Sequence, residues 1–183
     1  MTQQVSSDNQ TRALNIHGTA DVIAVIIATG FGAGFAPFAP GTFGSLVGTV
    51  IFYLLMMAFR SEPLMLQSSV IAASLISAVV GIWASARAEK IFAKKDAQQI
   101  VIDEVCGQLI TFIFIAQFLV KIGNQWRWVT LAGLVLFRCF DIFKPYPIRR
   151  LEKLGSGVGV MADDILAGIY AAIVLSSLLL LMP

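Results

Sequence analysis

The sequence predicts an all-α integral membrane protein, a compact bundle of about five transmembrane helices with a short N-terminal re-entrant or interfacial helix. Hydrophobic residues make up 57% of the 183 residues and charged residues only 13%, and the mean hydropathy is +0.82. These values lie far from those of an ordinary soluble domain. Uncharged runs of about the length needed to cross a bilayer also recur along the chain. The net charge of +2 is too small to indicate a nucleic-acid partner.

The N-terminal part divides into a tail, a short helix and a first span. Residues 1–18 form a polar tail, and residues 19–183 are long enough for a single transmembrane domain. Prolines and glycines interrupt the first apolar stretch, so it is not one continuous helix. Its first piece, about Thr19 to Thr29, is too short for a hydrocarbon core that needs ~20 residues. Its second piece, Ser45 to Phe59, is predicted as a short span.

The remaining spans follow in order. Pro63 to Ala86 is uncharged and long enough to cross, and a basic loop separates it from a third span at about Asp103 to Val120. A fourth helix starts near Arg127, and at ~1.5 Å per residue Arg138 lies ~15 Å further on, half of a ~30 Å core. Pro145 and Pro147 stop this helix. The last span is predicted from Ile165 to Met182.

If each of the five spans crosses the membrane once, successive loops alternate between the two faces. The segments rich in polar residues then all fall on the same face. A chain that crosses with each span brings the Gly30 to Ser45 loop, the Asp103 segment, the Asp141 segment and the Asp163 segment to the same side. Most of the basic loop residues fall on that side as well. By the positive-inside rule this face is cytoplasmic, which puts the carboxyl terminus outside.

Acidic residues at three helix ends predict a metal site on this face. Carboxylate oxygens suit hard cations such as Mg²⁺, and charge inside a membrane protein normally has a function. Gly107 and Gly168 share helix faces with the acids and allow close helix approach. The alternative for Asp163 and Asp164 is N-capping of the last helix. The predicted ligands are Asp103, Glu104, Asp141, Asp163 and Asp164.

Two basic residues and one loop are the candidates for holding a phosphate. Arg138 and Lys144 flank Asp141 at three-residue spacing on one helix, and both would neutralise charge on a phosphate. The Gly30 to Ser45 loop leads into a helix, so its backbone N–H groups and the Thr42 and Ser45 hydroxyls could bind an anion, with Gly41 and Gly44 beside them. The alternative for its glycines is close helix packing.

These blocks together resemble the phosphatidylglycerophosphatase A family. The matching segments are GFGAGFAPFAPGTFGS, Asp103-Glu104 with Gly107, FRCFDIFKPYPI and GSGVGVMADDILAG, and the one departure is Ser156, where the family more often has glycine. The resemblance implies a Mg²⁺-dependent enzyme of the bacterial inner membrane, whose site faces the cytoplasm. Its substrate would be the lipid phosphatidylglycerophosphate, from which it would remove the terminal phosphate to leave phosphatidylglycerol. The five acids, Arg138 and Lys144 would then form the catalytic set.

Two other functions also fit a small acidic membrane protein. A CDP-alcohol phosphotransferase would be Mg²⁺-dependent too, but the sequence lacks the acidic motif of that class. An ion-coupled transporter would explain intramembrane acids without catalysis. The acids cluster at one face and none lies centrally in a long span, which favours the enzyme.

Overall fold

The computed structural model describes residues 16–151 and 156–182, and in these ranges the protein is all-α, as predicted. The first fifteen residues of the predicted polar tail lie outside the described residues. Short 3₁₀ turns at Ala33–Phe35, Ile115–Phe118 and Gly123–Gln125 connect some of the helices. The α-helices are α1 (Thr19–Ala28), α2 (Pro40–Phe59), α3 (Pro63–Ile91), α4 (Ile102–Thr111), α5 (Leu119–Ile122), α6 (Trp126–Phe143), α7 (Ile148–Leu151) and α8 (Ser156–Leu181).

Four stretches of the described chain are long and apolar enough to cross a membrane. They are Pro40–Phe59, Pro63–Ile91, Ile102–Phe143 and Gly157–Leu181. A straight helix from Glu104 to Arg138 would be about 50 Å long, yet Arg138 Nη1 lies 3.8 Å from Glu104 Oε1. The 42-residue stretch therefore folds back on itself and supplies two legs. The four apolar stretches are thus compatible with the predicted bundle of about five transmembrane helices.

Contacts at the two ends of the bundle agree with the predicted assignment of each loop to one end or the other. At one end, Arg60 donates to the Gly123 carbonyl at 3.3 Å, and Lys121 donates to the Leu180 carbonyl at 2.9 Å. At the other end, Glu104 and Arg138 lie together, as described above. The helices are wrapped in exposed apolar side chains, including Leu54, Leu75 and Ile173, as expected of surfaces that face lipid.

Helix α4 lies at the centre of the bundle, and glycines let its neighbours approach. Most of its residues are buried, and Phe112 beyond its end stacks on Phe52 of α2 with ring centroids 4.3 Å apart. A Cβ added to Gly107 would lie 2.6 Å from the Asp164 carbonyl oxygen, and one added to Gly168 would overlap the Gly107 carbonyl. The predicted close approach of these two helices is confirmed. It sets the first turn of α4 beside the acids of α8.

The N-terminal helix α1 is short and packs against α3. Its ten residues extend only about 15 Å, and α1 is not among the candidate spans in the described residues. Asp21 accepts a hydrogen bond from the His17 backbone N–H at 2.8 Å and pairs with Arg87 Nε at 2.5 Å. The His17 contact first, and the Arg87 contact second, hold the pKa of Asp21 below its ordinary value.

Several helix boundaries differ from the predicted ones, and α4 ends at Thr111, before the predicted end of the third span near Val120. Helix α2 begins at Pro40, five residues before the predicted start, because proline is well suited to a first helical turn. Helix α3 extends to Ile91 and takes up part of the predicted basic loop. Helix α8 begins at Ser156, nine residues before the predicted start at Ile165. Asp163 and Asp164 are therefore inside a helix, and the N-capping alternative for them is wrong.

Candidate active site

Three carboxylates converge where α4 begins and α8 runs past it. Asp103 and Glu104 lie in the first turn of α4, and Asp164 lies two turns into α8. One carboxylate oxygen from each residue lies within 4.8 Å of the other two. Asp103 and Asp164 are buried, and Glu104 is mostly buried. Three ionised acids so close together inside an apolar bundle repel one another strongly, and a cation between them would offset that repulsion.

The other two predicted acids each pair with a predicted base. Arg138 Nη1 lies 2.5 Å from Asp141 Oδ2, as their three-residue spacing on a helix predicts. Lys144 Nζ donates to Asp163 Oδ2 at 2.7 Å. Of the five predicted metal ligands, the structure groups three for a shared ion. Asp141 and Asp163 hold the bases in place at the edge of that group.

Buried oxygens at the site have no hydrogen-bond partner in the described part of the chain. They are Asp103 Oδ1, Glu104 Oε2 and Asp163 Oδ1. A buried carboxylate oxygen without a donor is costly, and each of these belongs to the acidic cluster. Unpaired oxygens on clustered carboxylates are the ligands that Mg²⁺ takes. The residues present therefore fit a bound divalent cation.

All five acids and Lys144 line a single cavity of about 200 Å³. Lys144 reaches the cavity because α6 ends at Phe143 and Lys144 adopts a left-handed conformation, with φ of 44°. Sequence reasoning missed two polar residues of the lining, Asp96 and Gln98. Both follow α3 in a segment that was predicted only as a basic loop. Their position a few residues before Asp103 is the sequence feature that could have identified them as part of the site.

Arg138 lies one layer behind the cavity. It is not part of the cavity lining, and its side chain is 18% exposed. Its Nη1 lies near both Asp141 and Glu104, while its buried Nε has no hydrogen-bond acceptor in the described part of the chain. Arg138 thus neutralises two acids at the cavity wall, and Lys144 is the base that reaches the cavity itself.

The structure brings two residues of the predicted phosphate-binding loop to the cavity, Pro40 and Gly41. Gly41 lines it, and a Cβ at this position would overlap the Glu104 carboxylate. Thr42, Gly44 and Ser45 are not among the lining residues. The Ser45 hydroxyl is buried and donates to the Gly41 carbonyl at 3.0 Å, and Gly44 packs against Val101. For Gly44 and Ser45 the packing alternative therefore describes the structure.

Comparison with known proteins gives matches over most of the chain. The pattern of the family described as Phosphatidylglycerophosphatase A matches residues 26–179. A Bacteroides thetaiotaomicron protein, provisionally named a phosphatidylinositol-3-phosphatase, is 36% identical over 84% of this chain and 92% of its own length. Proteins named Phosphatidylglycerophosphatase A from Escherichia coli and Haemophilus influenzae are each 36% identical. They align over 80% and 81% of this chain, and over 78% and 84% of their own lengths. No solved structure matches.

Proposed function

Because the chain belongs to the phosphatidylglycerophosphatase A family, we propose that it removes the terminal phosphate of phosphatidylglycerophosphate and leaves phosphatidylglycerol. The observation that carries the proposal is the acidic cavity, where three carboxylate oxygens lie within 4.8 Å of one another beside Lys144. A cavity lined by acids accepts a phosphate only with a cation. The apolar helices around it suit a substrate that stays in the bilayer.

Asp103, Glu104 and Asp164 are the residues that would hold the divalent cation. When bound, Mg²⁺ would polarise the phosphoryl oxygens and supply an activated water. The carboxylates themselves fix where the phosphate lies, because they come from two helices locked together at Gly107 and Gly168. The burial of Asp103 and Asp164 strengthens their charge interactions compared with those of exposed groups.

Lys144 and Arg138 have different tasks in this proposal. Lys144 lines the cavity and would donate to a phosphate oxygen, with Asp163 holding its ammonium group at 2.7 Å. Arg138 acts as a positioning residue, because its guanidinium lies against Asp141 and Glu104 behind the wall. Together they offset part of the charge that the acids of the cavity place around an anionic substrate.

We further propose that the site faces the cytoplasm of a bacterial inner membrane. The cavity opens at the end of the bundle that carries Lys144, Arg149 and Arg150, while the opposite end carries Arg60, Lys121 and Arg127. Counting the basic residues Lys90, Lys94 and Lys95 with the first group, the positive-inside rule favours the cavity end as cytoplasmic.

Phosphate release from the purified protein in detergent tests the substrate assignment. Phosphatidylglycerophosphate is compared with phosphatidylinositol 3-phosphate, the lipid indicated by the name of the Bacteroides relative. We expect the higher kcat/KM for phosphatidylglycerophosphate. A higher kcat/KM for phosphatidylinositol 3-phosphate would instead assign that lipid as the substrate. Absence of release from either lipid, at any divalent-cation concentration, would contradict a phosphatase and leave the transporter alternative.

A further inference from the structure

A second cavity adjoins the acidic one. It has a volume of about 300 Å³, and it is lined by the segment that follows α6, including Tyr146, Arg149 and Arg150. Lys144 lines both cavities. The two cavities therefore adjoin at Lys144. The first is lined mainly by acidic and other polar residues, and the second by three basic residues together with aromatic residues and prolines.

Contacts with neighbouring residues position both arginines of the second cavity. Arg149 Nη2 donates to the Phe143 carbonyl at 3.4 Å. Arg150 Nη1 donates to Tyr146 Oη at 3.0 Å, and its guanidinium lies 4.7 Å from the centre of the Tyr146 ring. Neither arginine has a carboxylate partner among the described residues. Both arginines are exposed and line the cavity next to the acidic one, where a guanidinium can pair with an anion.

The proposed substrate carries two phosphates, and only one of them is hydrolysed. The terminal phosphomonoester fits the acidic cavity with its cation, whereas the phosphodiester that joins the glycerol to the diacyl part lies the length of one glycerol away. Carboxylates repel a diester anion, and a guanidinium pairs well with phosphate oxygens. Each of the two adjoining cavities therefore suits one of the two phosphates of a single lipid.

We propose that Arg149 and Arg150 bind the phosphodiester of the lipid while its terminal phosphate occupies the acidic cavity. This inference rests on the proposed function and makes the two arginines determinants of specificity. They select lipids that carry a diester behind the phosphomonoester. Because the diester does not change during the reaction, the contact strengthens substrate and transition-state binding equally, so its loss raises KM and leaves kcat unchanged.

Kinetics of the double variant Arg149→Gln/Arg150→Gln test the inference. We expect KM for phosphatidylglycerophosphate to rise about tenfold, the effect of two exposed charge-assisted contacts, with kcat unchanged. The product phosphatidylglycerol has the diester and lacks the terminal phosphate. Its inhibition constant should therefore rise by the same factor. The matched control is Lys94→Gln/Lys95→Gln, which removes two exposed charges outside both cavities and should change neither constant.

The outcomes separate this inference from the proposed function. Unchanged KM and inhibition constants in the arginine variant, or an equal rise in the lysine control, would overturn the diester site while the enzyme remains a phosphatase. The single variant Arg150→Gln, which keeps the Arg149 contact to Phe143, gives the same comparison with a smaller expected rise if the double variant does not fold. If the wild type releases no phosphate, the proposed function fails. In that case the dissociation constant of labelled phosphatidylglycerol is measured for the arginine variant and the lysine control, and the difference between them still tests the diester site.

Discussion

Adding one methyl group at Gly41 should disable the site without unfolding the protein. In Gly41→Ala the new Cβ would overlap Glu104 Oε1 and lie 3.0 Å from both Glu104 Cδ and Arg138 Nη1. A carbon and a carboxylate oxygen stay about 3.3 Å apart, so the Glu104 carboxylate must move by roughly 1 Å. Misplacement by about 1 Å can cost 100-fold in rate. Because the obstacle is the end of a side chain, the fold accommodates it.

Gly48→Ala provides a matched control on the same helix. A Cβ at Gly48 would lie 2.8 Å from the Val105 carbonyl oxygen and 2.9 Å from Gln108 Cβ, so it meets α4 away from the acids. Overpacking of this kind costs about 1–3 kcal/mol of stability. We expect Gly41→Ala to keep its melting temperature and lose about 100-fold in kcat, and Gly48→Ala to do the reverse. Wild-type kcat in Gly41→Ala would refute the placement of Glu104.

Three further predictions concern ligands, base and topology. Asp103→Asn and Asp164→Asn each remove a carboxylate of the cluster with little change of size, so phosphate release should fall at least about 100-fold while the proteins insert normally. Near-normal rates in both would mean that the ligands are misassigned. Lys144→Gln should lower kcat/KM about tenfold or more, the effect of one hydrogen bond to a charged group, and an unchanged value would remove Lys144 from the phosphate. In intact cells, a membrane-impermeant thiol reagent should label Asn124→Cys but not Lys94→Cys, in a background without Cys106 and Cys139. The opposite pattern would invert the orientation.

The helices could be predicted from the sequence because hydrophobicity and proline positions determine them. The run from Thr19 is too short to cross and forms the separate ten-residue helix α1, and Pro145 follows directly after the residue that caps α6. The start of α8 could not be predicted, because Gly157 and Gly159 look like loop residues. Gly157 is helical since it packs closely on α3, where a Cβ would overlap the Ile82 carbonyl.

It was easier to predict which residues belong to the site than which of them contact one another. Parity brings the acids to one face, and the Arg138–Asp141 pair follows from helical spacing. The grouping of Asp103 and Glu104 with Asp164 depends on how closely α4 and α8 approach, which is a tertiary property. The contact between Lys144 and Asp163 could not be predicted either, because it depends on the left-handed backbone conformation of Lys144. No local pattern distinguishes it from an ordinary basic residue after a helix.

Phosphate release from phosphatidylglycerophosphate, measured across a magnesium titration after exhaustive chelation, tests the central claim most directly. The claim is that Asp103, Glu104 and Asp164 hold a cation without which the acidic cavity repels its substrate. We predict no turnover in the chelated protein, saturable recovery as Mg²⁺ is added, and a shift of that recovery to higher Mg²⁺ in Asp164→Asn. Undiminished turnover after chelation would contradict the account.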